Sequence, residues 1–232
     1  MSAAPTLSVV VLAYNEVETL ERTSRELLQE LDRLAVPAEL VVVDDGSTDG
    51  TGALADQLAA SEPRVRVIHH HPNLGLGGVY RTGFSQAAGD YVTFFPADGQ
   101  FPATIIGDFL PRMSDHEMVL GFLPRRDSSR VSRGLSLAER VLYRILFGRM
   151  PRFQGILMFH RHLLARHTLH SQGRGWAVLL EFIIRCSRDG CRIVTVATDV
   201  RPRTHGASKV NNLRTIWSNF RQVLALRKTL RR

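Results

Sequence analysis

The sequence predicts an α/β fold, a mostly parallel sheet flanked by helices, and three observations carry that expectation. Short apolar runs alternate with segments of helical spacing over the first hundred residues, as βα repeats do. Three of those runs end abruptly in polar clusters: Tyr14-Asn15-Glu16, Asp44-Asp45-Gly46-Ser47-Thr48-Asp49-Gly50 and Pro96-Ala97-Asp98-Gly99-Gln100. In an open parallel sheet, ligands sit outside the carboxyl ends of the strands, so the three clusters should converge on one crevice. The third observation is charge. Residues 1–120 carry 7 Lys/Arg against 17 Asp/Glu, a net −10, whereas residues 121–232 carry 23 against 5, a net +18. One half is suited to hold acids around a polar ligand and the other to meet something anionic.

Each element follows from local pattern. Residues 7–13 form an apolar first strand, and residues 16–34 a helix with Leu20, Leu27, Leu31 and Leu34 at helical spacing. Pro37 closes that helix, and residues 39–43 make the second strand. Ser47 and Thr48 are the expected N-caps of a helix running through residue 60. A third strand is expected at 65–68, a short helix at 77–87, and a fourth strand at 91–95 after the Gly89-Asp90 turn. Beyond Pro102, residues 105–113 read as helix and 118–121 as strand. Residues 125–133, with Asp127 and three serines, read as a loop. Residues 136–148 form a basic amphipathic helix with Leu137, Val141, Leu142, Ile145 and Leu146 on one face. A helix at 176–188, a strand at 193–197 and a terminal helix from about Asn211 complete the chain.

Composition bounds the function. At 232 residues and 44% apolar content, the chain fits one large domain with a substantial core and is not disordered. No internal repeat or low-complexity linker divides it. Its two cysteines, Cys186 and Cys191, are too few and too poorly spaced for a disulfide framework or a zinc site, so reduced thiols are expected. No segment approaches the roughly 20 apolar residues of a spanning helix, and the N-terminus lacks the basic start of a signal peptide. Membrane association, if any, is expected to be peripheral.

The motifs differ in weight. Asp44, Asp45 and Ser47 offer acceptors at one strand tip, where Gly46 permits a tight turn. Asp98 and Gln100 supply hard oxygen donors of the kind magnesium or manganese take. Pro96 stands where a second acid would help. The glycine-rich run from Asn73 to Gly78 opens a helix, but Tyr80 fills the third glycine position of G-x-G-x-x-G, and no Walker-type G-x-x-x-x-G-K-[ST] exists. Dinucleotide and P-loop readings are weak. His69-His70-His71 reads as a solvated strand end, because neighbours on a strand point to opposite faces. The segment Arg201-Pro202-Arg203-Thr204-His205-Gly206-Ala207-Ser208-Lys209 is suited to phosphate, with arginine forks, a lysine point charge and a glycine that lets the loop close.

In order along the chain, residues 9–16, 41–51, 73–83, 89–100, 121–127, 154–159, 175–181 and 203–209 resemble the inverting glycosyltransferases of family two with the GT-A fold. The resemblance is to the branch of dolichol-phosphate mannosyltransferases and bacterial polyprenyl-phosphate glycosyltransferases. It implies one GT-A domain over residues 1–232, with 1–125 binding the nucleotide sugar and 126–232 facing acceptor and membrane. By position, it implies Tyr14, Glu16, Val43 and Asp45 around the nucleotide, and Ala97, Asp98 and Gln100 as the metal–diphosphate segment. Arg203 and Lys209 correspond to the basic residues that close over the diphosphate, and Arg126 and Arg133 lie near the acceptor phosphate. Glu181 falls on the acceptor side or orients a basic neighbour. The implied cofactor is a divalent metal, magnesium or manganese, held by Asp98 and Gln100.

Three positions depart from the family pattern. Leu12 replaces a proline of the first motif, Pro96 replaces the first Asp of D-x-D, and Leu123 stands where an arginine is common. The second departure bears directly on the metal requirement.

The implied activity is sugar transfer from a nucleotide diphosphate sugar to a polyprenyl phosphate, by a cytoplasmic protein peripheral at the inner face of the cell membrane. Further expected partners are the anionic membrane surface and a membrane protein or second copy of the chain. A same-fold enzyme with a soluble acceptor and a non-catalytic homologue are the alternatives. Nucleic acid is not an expected partner, because aromatic residues are not interleaved with the basic ones. In the terminal helix, Leu213, Ile216, Trp217, Phe220, Val223 and Leu224 share one side, among Arg214, Arg221, Arg227, Lys228, Arg231 and Arg232. That pattern predicts interfacial docking.

Overall fold

The computed structural model describes residues 5–124 and 150–202, with 144, 146–148, 225–227 and 230. One seven-stranded sheet runs through them, comprising β1 (Leu7–Ala13), β2 (Ala38–Asp44), β3 (Val65–His69), β4 (Tyr91–Pro96), β5 (Met118–Phe122), β6 (Leu157–His160) and β7 (Ile193–Ala197). Their spatial order is β3-β2-β1-β4-β6-β5-β7. β6 pairs antiparallel with both β4 and β5, and the remaining pairs are parallel. The helices are α1 (Leu20–Arg33), α2 (Thr51–Ser61), α3 (Gly75–Gln86), α4 (Ile105–Phe109), α5 (His162–Arg166) and α6 (Ala177–Arg188). Residues 157–160 and 193–197 add two strands to the sheet begun by residues 7–122.

The strand order sets where a ligand can sit. The chain moves outward from β1 to β2 to β3, then returns to place β4 on the other side of β1. With right-handed crossovers, this reversal puts α1 and α2 on one face and α3 on the other. It also leaves a switch point between β1 and β4, where the following loops diverge. β1 and β2 are buried at every position, as expected for parallel strands covered on both faces. Phe84 meets Phe159 edge-on at 5.1 Å, and Phe159 meets Phe182 of α6 at 4.8 Å, packing β6 of the sheet against the α3 and α6 layer.

The amino end of the sheet is tied by one buried polar cluster. Ser8 Oγ donates to Glu39 Oε1 at 2.6 Å and accepts the Gly89 N–H at 2.8 Å. Glu39 also accepts the Ala88 N–H at 2.8 Å and a two-pronged contact from Arg66 at 2.9 and 3.0 Å. Burial alone would raise the Glu39 carboxyl, but these donors outweigh it and hold it below the ordinary range.

Several local expectations change. Helix α1 begins at Leu20, because residues 16–19 form a separate turn in which Thr19 and Leu20 donate to the Glu16 carbonyl. Helix α2 is capped by Gly50 at φ +95°, not by Ser47 or Thr48, whose groups are engaged elsewhere. The expected helix at 105–113 becomes α4 followed by a 3-10 turn, Leu110–Ser114. Pro111 lacks the N–H that would continue the α ladder. β6 and α5 were absent from the sequence reading, since four and five residues carry no measurable periodicity. Of the basic helix at 136–148 and the terminal helix, most lies outside the described residues.

Candidate active site

The first two strand tips are stitched to each other by their own polar residues. Asn15, at φ +53°, turns the chain at the end of β1. Its N–H donates to Ser47 Oγ at 2.9 Å, and its Oδ1 accepts the Thr48 N–H at 2.8 Å. Glu16 N–H donates to Thr51 Oγ1 at 2.9 Å, and Val17 N–H to Asp49 Oδ2 at 3.3 Å. Asp49 Oδ1 accepts the Thr51 hydroxyl at 2.5 Å and its N–H at 3.1 Å. Burial would raise the Asp49 carboxyl, but these bonds lower it below its ordinary value. Tyr14 projects at 39% exposure and Glu16 is half-buried, both at the carboxyl end of β1.

Asp44 and Asp45 turn inward. Asp44 accepts from His69 Nδ1 at 3.0 Å and from the Ser47 N–H at 3.1 Å. Asp45 Oδ1 meets His70 Nδ1 and the Leu74 N–H, both at 2.8 Å, and Oδ2 accepts the Gly75 N–H at 2.8 Å. Asn73 Nδ2 adds a bond to the Asp45 carbonyl at 2.7 Å. The Asp45 side chain is 4% exposed, so it organises the turn into α3 and presents almost no surface to a ligand. His70 is likewise buried, with Nε2 at 2.9 Å from Thr82 Oγ1. The expectation of a solvated histidine end fails at this residue, although alternation does send His69 and His70 to different partners.

The glycine-rich run has a packing role. A Cβ on Gly77 would lie 2.0 Å from the Gly173 carbonyl oxygen, and one on Gly75 2.7 Å from that of Arg174. The Gly77 N–H donates to the Arg174 carbonyl at 2.9 Å, and Arg174 bonds Asn73 through both its terminal nitrogens. Glycine is required because two backbones touch here. The 170–174 segment is held in turn by Glu181, which is fully buried and accepts the His170 N–H at 3.1 Å, the Ser171 N–H at 2.7 Å and Arg185 Nε at 2.9 Å. Burial pushes the Glu181 carboxyl up, but these donors more than compensate and lower it. Glu181 therefore orients its basic neighbour and a loop; it offers no surface to an acceptor.

The third tip carries the accessible chemistry. Asp98 and Gln100 are half-buried at the end of β4, and Asp98 Oδ1 accepts the Gln100 N–H at 3.1 Å. Gly99 sits at φ +69° with Arg22 of α1 beside it: a Cβ there would be 3.0 Å from Arg22 Nη2. The Gln100 carbonyl accepts the Arg201 N–H at 2.8 Å. Arg201 also grips Glu26 of α1 through two nitrogens, at 2.7 and 2.8 Å. That hydrogen bonding holds the Glu26 carboxyl below its ordinary value. The first residue of the basic segment is thus fastened to the Asp98 tip.

Two of the expected site residues lie inside the core. Val43 and Ala97 are both fully buried. Val43 pairs with Leu12 and Ile68 inside the sheet, and Ala97 bonds the Leu12 carbonyl through its N–H and Thr23 Oγ1 through its carbonyl. They shape the tips without touching solvent. Arg126, Arg133, Arg203 and Lys209 lie outside the described residues. Asn73 and Arg201 belong to runs legible in the sequence, whereas Arg22 and Glu26 are not marked there by any motif. Arg22 and Glu26 are one helical turn apart on α1, a signal that acquires meaning only once α1 is known to pass the β4 tip.

A divalent ion fits the donor set at this tip. Asp98 and Gln100 provide a carboxylate and an amide oxygen, and magnesium and manganese commonly bind one or two carboxylates together with substrate phosphates. Pro96, paired with Leu12 in the sheet, removes one protein oxygen from that set.

Residues 8–174 match the family model described as glycosyl transferase family 2. The chain belongs to this family. Among curated relatives of this family 2 member, the undecaprenyl-phosphate mannosyltransferase of Micrococcus luteus is 30% identical over 87% of the chain and 86% of its own length. Glycosyltransferase AglD of Haloferax volcanii is also 30% identical, over 96% of the chain, but the chain spans only 37% of it. The dolichol-phosphate mannosyltransferase of Pyrococcus furiosus is 27% identical over 96% of the chain and 64% of its own length. The family 2 sheet is also that of known GT-A structures. Glucosyl-3-phosphoglycerate synthase from Mycobacterium tuberculosis, solved with Mn2+, UDP-glucose and phosphoglyceric acid, superposes with a TM-score of 0.71 at 23% identity, covering 98% of the chain and 80% of that structure.

Proposed function

We propose that this family 2 chain transfers a sugar from a nucleotide diphosphate sugar to a polyprenyl phosphate, inverting the anomeric carbon. It would act peripherally at the cytoplasmic face of a membrane. The observation that carries the reading is the fastening of Arg201 to Glu26 and to the Gln100 carbonyl, beside Asp98. The basic segment that follows Arg201 in sequence therefore starts at the tip where a diphosphate would lie. The polyprenyl-phosphate relatives support the acceptor class.

An acceptor phosphate oxygen attacks the anomeric carbon from the face opposite the leaving group. The new C–O bond forms as the bond to the diphosphate breaks, and the electron pair departs on the diphosphate oxygen. A phosphate monoester is already anionic near neutral pH, so no strong general base is required. The protein's contribution is alignment and charge neutralisation. Tyr14 and Glu16 border the nucleotide, and Asp98 and Gln100 would hold a divalent ion, which when bound offsets diphosphate charge. Arg203 and Lys209 take up charge on the leaving group, and Arg126 and Arg133 receive the acceptor phosphate.

The test is a transfer assay with a panel of nucleotide diphosphate sugars, offering undecaprenyl phosphate in detergent in one arm and phosphoglycerate in the other. Sugar recovered in the organic phase is the expected result. Transfer to phosphoglycerate alone would replace the lipid reading with a soluble-acceptor one. Absence of any thermal shift with every nucleotide sugar, with or without manganese, would remove the transferase reading altogether.

A further inference from the structure

A second cluster of chemically active side chains lies at the other end of the sheet. Cys186 Sγ, Cys191 Sγ and a ring nitrogen of His167 all lie within 4.8 Å of one another. Their spacing in sequence looked unsuitable for a metal, but the end of α6 changes that. Gly190, at φ +74°, allows the Cys191 N–H to bond back to the Cys186 carbonyl at 3.0 Å, while the Gly190 N–H reaches the Ser187 carbonyl at 3.4 Å. This is the Schellman ending of a helix, which folds the second residue past the cap onto the last turn. It brings Cys191 alongside Cys186. His167, just after α5, reaches the same point and packs its ring 6.4 Å from that of Phe182.

A second observation points to a ligand. His167 is 5% exposed, and its Nε2 is buried with no hydrogen-bond partner among the described residues. A buried polar atom of this kind is costly unless something fills its bonding position. The other ring nitrogen, Nδ1, faces Asp189 Oδ2 at 3.5 Å, the arrangement that commonly orients a metal-bound histidine. Cys186 is fully buried, whereas Cys191 is half-buried and lines a groove with Met150, Pro151, Ser187 and Ile193, which gives the cluster a way in.

We propose that Cys186, Cys191 and His167 form a binding site for a thiophilic divalent ion of the zinc type, with a fourth position open to the groove. Two thiolates and an imidazole are the donors such an ion prefers. In a tetrahedral zinc site, ligand atoms stand roughly 3.5–3.8 Å apart, so small side-chain adjustments close the observed spacing. The ion displaces one proton from each thiol as its two metal–sulfur bonds form, and two protons leave to solvent. Cys191 precedes β7, whose far end leads to Arg201. Five strand residues separate the cluster from that end, roughly 16 Å. At that distance the ion does not reach the groups around Asp98. It ties the α5–α6 connection to the end of α6, the helix whose Glu181 holds the loop against Gly75 and Gly77.

The reduced, chelator-treated full chain is titrated with Co2+ and then with Zn2+. One equivalent of cobalt is expected to give thiolate-to-cobalt charge-transfer absorption and the strong visible bands of a tetrahedral ion, both abolished by zinc. Because the chain has only two cysteines, protection of both thiols from alkylation by one equivalent of zinc reports the site without any variant. Cys191→Ser is expected to lose the charge-transfer band and at least 100-fold in affinity, with an unchanged circular dichroism spectrum in the absence of metal. His167→Gln should retain the band and lose at least tenfold. Absence of the band in the wild-type chain, an undiminished band in Cys191→Ser, thiols left unprotected by zinc, or a Cys186–Cys191 disulfide in chain isolated without reductant would each overturn the proposal.

Discussion

Asp45 and Asp98 occupy equivalent places after β2 and β4, the two strands that flank β1, yet the structure gives them different work. Asp45 meets two backbone N–H groups and His70 from a buried position. Asp45→Ala leaves these groups without an acceptor and is expected to cost about 2–4 kcal/mol of stability, measurable as a lower urea midpoint. Asp98 is half-buried and borders the crevice. Asp98→Ala is expected to keep its unfolding midpoint but lose about 10²–10³ in transfer rate, the scale of one lost electrostatic contact to the transition state. Turnover at the wild-type rate would remove Asp98 from the mechanism. Pro96→Asp, by the same reasoning, should tighten metal binding in a calorimetric titration. His69 supplies a pH signature. Its ring bridges Asp44 and Asp56, each at 3.0 Å, and those hydrogen bonds raise its pKa above 6.5. A raised folded pKa means this stabilisation is complete below the unfolded value and fades as pH rises through the folded value. As pH rises from 6.5 through the raised folded value, His69→Gln should flatten the loss of stability seen in the wild-type chain.

At the scale of elements, α1 is the support of the third tip. Its residues Arg22, Thr23 and Glu26 face Gly99, Ala97 and Arg201 respectively. Glu26→Gln removes the charged grip on Arg201 and is expected to weaken binding of a nucleoside diphosphate more than of a nucleoside monophosphate, since the basic segment meets the distal phosphate. Arg203→Ala and Lys209→Ala should show the same preference. Equal losses for both nucleotides in a calorimetric comparison would detach the segment from the diphosphate. The Glu26 pKa is lowered, so this contact is present above the ordinary value of 4.5 and is lost as pH falls through the folded value. Gly77→Ala tests the opposite face. Its Cβ would meet the Gly173 carbonyl at 2.0 Å, so the 170–174 segment must move away from α3, and the thermal midpoint should fall.

For the molecule as a whole, the proposed membrane contact rests on the basic half, residues 121–232. No helix among the described residues is long and apolar enough to cross one. Near the chain end, Leu226 is buried with Phe147, Leu180 and Ile184, and Arg188 Nη1 reaches the Leu230 carbonyl at 3.4 Å. Removing everything from Leu213 onward would therefore strip a packed residue from α6 and confuse stability with membrane binding. A charge variant separates the two. The triple change Arg214→Gln, Arg221→Gln and Arg227→Gln leaves Leu226 in place and removes about 1 kcal/mol of surface attraction per residue as an upper bound. Flotation with anionic vesicles should fall at least tenfold while nucleotide affinity stays constant. Unchanged flotation would assign membrane contact to another surface.

The sequence by itself determined the α/β class, the first four βα units to within a few residues and the three polar tips, because strand alternation and polar breaks after apolar runs are local signals. The ordered motifs likewise determined the family. The tertiary structure decided which acids face the crevice. Asp45 and Asp98 look alike in one dimension, and burial distinguishes them only when α3 closes over the first and α1 flanks the second. It also decided that β6 inserts between β4 and β5, a pairing that four residues cannot announce, and that Glu26 meets Arg201 across 175 positions of chain. The cysteines show the same division. A spacing that excludes a metal site along a line permits one where a left-handed glycine folds the chain back and a histidine arrives from another helix.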